Sequence, residues 1–203
     1  MSESHDGAPV DQPASFAFTP ENRVKADAYI AKYPPGRQAS AVLSLLYLAQ
    51  DQHDNWVPRA AMDHIAEILS MPPIRVYEVA SFYTMFNLRP VGRHFLQICT
   101  TTPCWLRGSD AVVEACKKKL GIGIGETTPD KKFTLLEVEC LGACVNAPVV
   151  QVNNADFYED LDGPATEKLI DALSRGDKPP EGSVTGRQGS APAGGPTTLT
   201  ESK

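Results

Sequence analysis

Apolar residues over about the first 90 positions recur at helical spacing, and after Asn87 they contract into short runs, so the chain changes period once along its length. Thr19 offers a capping hydroxyl with Pro20 in the first helical position, which predicts a helix reaching about Tyr33, where Pro34 and Pro35 stop it. In the stretch ASAVLSLLYLAQ, the side chains of Val42, Leu45, Leu46 and Ala49 share one face. A third helix from about Pro58 to Leu69 turns Ala61, Ile65, Ile68 and Leu69 inward. A fourth from Pro73 puts Val76, Val79, Ala80 and Tyr83 on one face, leaving Tyr77, Ser81 and Phe82 to other surfaces. Short linkers make the four helices antiparallel neighbours or nearly so, an N-terminal helical bundle.

Beyond Asn87 the turn Arg89-Pro90-Val91-Gly92 leads into HFLQIC, a short buried strand ending at Cys99. A helix from about Cys104 to Leu120 follows, carrying Val112, Val113 and Cys116, with three lysines near its end where the dipole favours them. The glycines of LGIGIGE terminate it, and FTLLEVEC is the next strand. PVVQVN then pairs with DFYEDL through a turn at Asn153-Asn154-Ala155, and a last helix from about Pro164 to Ser174 turns Leu169, Ile170 and Leu173 inward. Right-handed crossover of the first strand–helix–strand unit makes its two strands parallel. The expected class is α+β: a flexible tail (1–17), the helical bundle (18–88), an α/β domain with a four-stranded sheet and flanking helices (89–175), and an extended tail rich in Gly, Pro, Ser and Thr (176–203).

Composition narrows the function classes. A net charge of -6 argues against nucleic acid or an anionic membrane surface as the main partner. No apolar window is long enough to span a bilayer, and MSESHDGAPVDQP lacks the charged and apolar regions of a signal peptide. The expected setting is therefore cytoplasmic, or that of a mature form whose presequence has gone. Reducing conditions disfavour disulfides, and five cysteines cannot all pair within one chain.

Four of the five cysteines form two close pairs, Cys99 with Cys104 and Cys140 with Cys144, each beside a strand end. Four thiolates on two short loops suit one metal or a small cluster. Pro103 stiffens the first loop, where Thr100, Thr101 and Thr102 can turn hydroxyls and amides towards sulfur, and Gly142 lets the second wrap closely. Structural zinc also takes four cysteines, although its usual knuckles are closer in sequence than Cys99 and Cys104, so zinc and an iron–sulfur cluster both remain open at this point. A Rieske-type centre needs two histidines, and His5, His53, His64 and His94 all lie away from the cysteines. Cys116 reads as a small core residue, and Trp105 either as a shield for the site or as core packing. Gly121, Gly123 and Gly125 follow a helix rather than separating a strand from one, so they suit a cap and turn better than a dinucleotide loop.

The stretches CTTTPCWLRGS, ETTPDKKFTLLEVECLGACVNAP and PPIRVYEVASFYTMFN together resemble the small thioredoxin-like 2Fe-2S subunit of respiratory complex I, NADH:quinone oxidoreductase. The resemblance runs from about Phe16 to the tail. It implies a thioredoxin-like fold and one 2Fe-2S cluster, with Cys99 and Cys104 on one iron and Cys140 and Cys144 on the other. It further implies electron exchange with the flavin of an NADH-binding partner in a tight heterodimer, with a large iron–sulfur subunit as neighbour. FMN and NAD then belong to the partner, and this chain supplies no catalytic residue. The implied location is the peripheral arm, on the cytoplasmic face of a bacterial inner membrane or the matrix side in a mitochondrion, without membrane insertion. A similar small cluster subunit serves NAD-linked formate dehydrogenases and hydrogenases, which is the alternative. GRQGSAPAGGPTTLTES resembles the tail of mitochondrial-type members, which extends over a partner. Pro148 lies where thioredoxin-like folds often carry a cis proline, so a cis Ala147–Pro148 bond is expected.

Overall fold

The computed structural model describes residues 11–190 together with 194 and 195. The outer parts of both expected tails, and His5, lie outside the described residues. The chain divides into two compact units, Met1–Val91 and Gly92–Lys203.

Among the described residues, four helices build the first unit: α1 (Pro20–Ile30), α2 (Val42–Gln52), α3 (Arg59–Leu69) and α4 (Pro73–Phe82), with a 3-10 turn at Gln38–Ala41 leading into α2. The Thr19 hydroxyl caps α1 by accepting the Asn22 amide at 3.2 Å. That helix ends before Tyr33, whose amide instead closes a turn on the Ile30 carbonyl. The core gathers Leu45, Leu46, Ala49, Ala61, Ile65, Leu69, Val76 and Ala80. On α3 it is Ala66 rather than Ile68 that is fully buried. Tyr83 is not on the buried face: it caps α4 with an extended backbone (φ -90, ψ 106) and is 37% exposed, whereas Val76 and Ala80 are buried. Buried Gln50 ties the unit together, its side chain donating to the Met85 carbonyl and accepting the Asn87 amide. Polar sequence upstream of α1 is also anchored: Gln12 accepts the Arg59 amide, and Phe16 packs against the core.

In the second unit the elements are β1 (His94–Cys99), α5 (Thr102–Leu106), α6 (Ser109–Leu120), β2 (Phe133–Val138), β3 (Val149–Val152), β4 (Asp156–Glu159), α7 (Gly163–Arg175) and β5 (Gly182–Ser183). The sheet order is β2-β1-β3-β4-β5. The expected parallel pairing of β1 with β2 and the β3–β4 hairpin are both present. The expected sheet of four strands has five, because β5, from the polar C-terminal stretch, pairs parallel with β4. Two residues of Gly-Ser carry no hydrophobic period, so no local pattern marks them as a strand. The single helix expected from Cys104 is in fact two: α5 begins at Thr102, and Gly108, at φ +94, breaks the chain before α6. Cys116 thus sits on α6, buried in the core with Leu96, Ile98, Val112, Leu135, Val150 and Ile170. Gly92 brings the start of β1 against β2 so closely that a Cβ there would stand 2.5 Å from the Phe133 carbonyl carbon.

Candidate metal centre

The sheet topology itself brings the cysteine loops together. Because β1 and β2 are parallel, both end at one edge of the sheet, and antiparallel β3 begins at that same edge. Cys99 is the last residue of β1, opposite Val138 at the end of β2, and Cys140 follows two residues later. Cys144 opens a 3-10 turn, Cys144–Asn146, and the chain then enters β3 through a cis Ala147–Pro148 bond, as expected. Cys104 comes back to the edge inside α5. The loops meet in a small core of Cys99, Cys104, Ala143, Ala147 and Val149, with Leu141 and Phe157 packed on it.

The four thiols differ in their surroundings. Cys99 and Cys104 are buried, whereas Cys140 and Cys144 are exposed, and all are free thiols. The sulfurs of Cys140 and Cys144 stand 3.3 Å apart, and the Gly142 amide donates to Cys140 Sγ at 3.4 Å. Gly142 has φ +80, which a side chain would strain. Burial opposes ionisation of Cys99, but hydrogen bonds from the Thr101 hydroxyl, the Leu141 and Thr101 amides and Cys104 outweigh it and hold its pKa below that of an ordinary thiol. The hydroxyl contact is 3.2 Å long. Burial pushes Cys104 up to about 12, reinforced by the hydrogen bond and charge of Cys99, while the Val149 amide pulls the other way. Cys144 is raised by its hydrogen bond to Cys140, then by burial and by the charges of Cys140 and Cys99. One pair therefore feels the charge of the other across the loops.

A soft metal group with a delocalised negative charge fits this donor set. Four thiolates together need counter-dipoles, and amides of Thr101, Leu141, Gly142 and Val149 all point at sulfur. The cysteines stand as two pairs; among the described residues no three His, Cys, Asp or Glu side chains gather as for a single ion. Of the first-loop threonines, Thr101 serves the sulfur, whereas Thr100 turns to Glu137. His53 and His64 pack with Phe16, and His94 lies on Phe133. Cys116 stands apart, raised to about 12 by burial. Trp105 is not core packing: it is 57% exposed, and Leu106 and Val145 beside the cysteines are exposed too. Gly121, in the left-handed region, ends α6, as expected of a cap. The amide donors Leu141 and Val149 had no signal in sequence, because an apolar residue type says nothing about where its backbone N–H points.

Residues 26–174 match the family model of the thioredoxin-like [2Fe-2S] ferredoxins. The chain is 57% identical over 159 residues to a subunit of the NADH-quinone oxidoreductase of Rickettsia conorii, the one designated E, covering 78% of this chain and 95% of the relative. It is 51% identical over 186 residues to the mitochondrial NADH dehydrogenase [ubiquinone] flavoprotein 2 of Dictyostelium discoideum, covering 92% of this chain and 75% of the relative. An NAD+-reducing [NiFe]-hydrogenase structure superposes with a TM-score of 0.56 at 22% identity, over 64% of this chain and 23% of that one, a likeness of fold.

Proposed function

Since the chain belongs to the thioredoxin-like [2Fe-2S] ferredoxin family, we propose that Cys99, Cys104, Cys140 and Cys144 hold its one 2Fe-2S cluster, a pair to each iron. The chain is an electron-transfer subunit of NADH:quinone oxidoreductase, the function named in its relatives at 57% and 51% identity. Bound there, the group supplies a one-electron donor and acceptor. The protein contributes its surroundings. The buried pair excludes water from one side of the site, the amide donors and the Thr101 hydroxyl offset negative charge on sulfur, and the exposed pair faces outward.

The observation that carries the ligand assignment is the pairing of thiols on two loops delivered to one sheet edge beneath backbone amides. A four-cysteine zinc site also takes two such pairs; the wide spacing of Cys99 and Cys104 and the match to the 2Fe-2S family favour the two-iron group. The exposed Trp105, Leu106 and Val145 around the loops support a partner face at this edge, which we read as the seat of the flavin- and NADH-binding subunit, with the large iron–sulfur subunit nearby. FMN and NAD lie in that partner, and the chain acts as a non-catalytic carrier in the peripheral arm; among the described residues no helix is long and apolar enough to cross a membrane. We read residues 18–88 as a helical bundle and 89–175 as the cluster domain, to whose sheet the stretch from Gly182 adds a strand. The same architecture in a hydrogenase keeps that alternative in the same fold, but quinone-linked relatives match far more closely.

The test is EPR of the purified chain before and after dithionite, with iron and acid-labile sulfide counted. A silent oxidised sample that gains a rhombic signal, with about two irons and two sulfides per chain, is expected. Serine at Cys99, Cys104, Cys140 or Cys144 should abolish or alter that signal, and Cys116→Ser should leave it as it is. A colourless, zinc-bearing chain would refute the reading.

A further inference from the structure

We infer that the segment from Gly182 to Ser190 is a strap that positions the second cysteine loop, with Arg187 as its positioning residue; its consequence for iron rests on the ligand assignment above. The first cysteine pair is fixed by the elements that carry it, because Cys99 ends a strand and Cys104 lies in a helix, both buried. The second pair has no such frame. Cys140 and Cys144 are exposed on a loop turned by Gly142, and the residues just after Cys144 are held from outside.

The strap starts as β5, pairing with β4 at Tyr158 and Glu159, and the Val184 amide continues the pairing to the Glu159 carbonyl. Arg187 then forks. Its Nε donates to Asp160 Oδ2 at 2.8 Å, and its Nη2 donates both to Asp160 Oδ1 at 2.5 Å and to the Val145 carbonyl at 3.0 Å. One planar guanidinium thus joins the end of β4 to the backbone one residue beyond Cys144. The adjoining residue is clamped as well: buried Asn146 donates from Nδ2 to Glu159 Oε2 at 2.8 Å and to the Gln188 carbonyl at 2.7 Å. Ser190 completes the arrangement, its amide and hydroxyl both donating to Glu159, a carboxylate 2% exposed. A buried carboxylate is costly unless its lone pairs are met, and two of its donors come from the strap. The strap and the cysteine loop also line one open cavity of about 650 Å³, with Leu141, Gly142 and Ala143 facing into the same space as Arg187 and Ser190.

These contacts assign the strap a task beyond closing the sheet edge. Holding Val145 and Asn146 fixes the turn that Cys144 opens, and with it the direction of the Cys144 thiol. Without the strap, the turn would keep the Asp160 amide on the Asn146 carbonyl and the Asn146 side chain on Glu159, but it would lose the Arg187 and Gln188 contacts that hold Val145 and Asn146 from the other side.

The deciding experiment compares the full chain with Arg187→Ala, Arg187→Lys and Gln188→Ala, following amide hydrogen exchange, iron loss to EDTA and the EPR signal of the reduced protein. In Arg187→Ala the amides of Ala143–Ala147 should exchange about tenfold faster, as loss of charge-assisted hydrogen bonds implies, while those of β1 stay as in wild type. Iron should leave several-fold faster and the rhombic signal should shift. Lysine keeps the charge but not the fork, so Arg187→Lys should recover part of each change. Gln188→Ala retains the main-chain carbonyl that Asn146 uses and should match wild type in all three. Unchanged exchange over 143–147 in a folded Arg187→Ala chain overturns the positioning role. Should that variant fail to fold, Ser190→Ala, which removes one donor from Glu159, must still quicken the same amides, and its failure to do so overturns the role equally. A wild-type chain that binds no iron would instead sink the ligand assignment, with the exchange comparison still deciding the strap.

Discussion

At the scale of single residues, the two members of the buried cysteine pair have equal burial and opposite character. Both thiols are lost from solvent, yet Cys99 collects donors while Cys104 faces chiefly burial and its partner's charge. The Thr101 hydroxyl is the one side-chain donor from the first loop on Cys99 besides Cys104 itself. Hydrogen bonds to cluster sulfurs favour the reduced, more negative state, so Thr101→Val should lower the midpoint potential. A loss near 1 kcal/mol corresponds to a shift on the order of 40 mV for one electron. Redox titration followed by EPR measures it, and an unchanged potential would show that the hydroxyl does not act on the reduced state. The sequence made the three threonines candidates as a group because they neighbour a cysteine. Only the fold separates Thr101 from Thr100, whose hydroxyl is drawn across β1 to Glu137 on the next strand.

Elements were legible where local chemistry sets them. Proline and threonine start α1, the left-handed Gly121 ends α6, and crossover handedness makes β1 and β2 parallel. The helix after Cys99 was not: Gly108 splits it in two, and a lone glycine in a helical pattern does not say whether it will be tolerated or will break the run. Helix α7 shows how a cap decides a boundary, since it begins one residue earlier than Pro164 suggests. The Asp162 carboxylate accepts the Ala165 amide at 2.7 Å, meeting an end donor that would otherwise lack a partner. Asp162→Ala should therefore cost about 1 kcal/mol in urea unfolding without altering the EPR signal, because α7 packs on the core through Leu169, Ile170 and Leu173, away from the cysteine loops. A changed signal would show that this helix reaches the site.

For the molecule as a whole, the second unit has one core of ordinary apolar residues and a smaller one made largely of the site itself. Four thiols gathered at one edge gain free energy when a metal group holds them and lose it when they are left together, so binding is linked to folding. Removing the iron should lower Tm by several degrees, and the drop should be abolished by serine at any two of the four cysteines; calorimetry of loaded and stripped protein decides, and equal Tm values would contradict the linkage. The sequence by itself determined the change from helical to strand-and-helix organisation, the two cysteine pairs and most helix starts, because each rests on residues within a few positions of one another, and the family, because several such stretches agree together. Tertiary structure alone decided which amides reach sulfur, which pair is buried, that Trp105 is exposed, and that a polar C-terminal stretch becomes a fifth strand and a strap. Each of these joins residues far apart in the chain: Arg187 finds Val145 and Asp160, and Leu141 finds Cys99, only after the sheet has brought their backbones to one edge. Local patterns carry no record of such meetings, since the residues involved have no period or spacing in common.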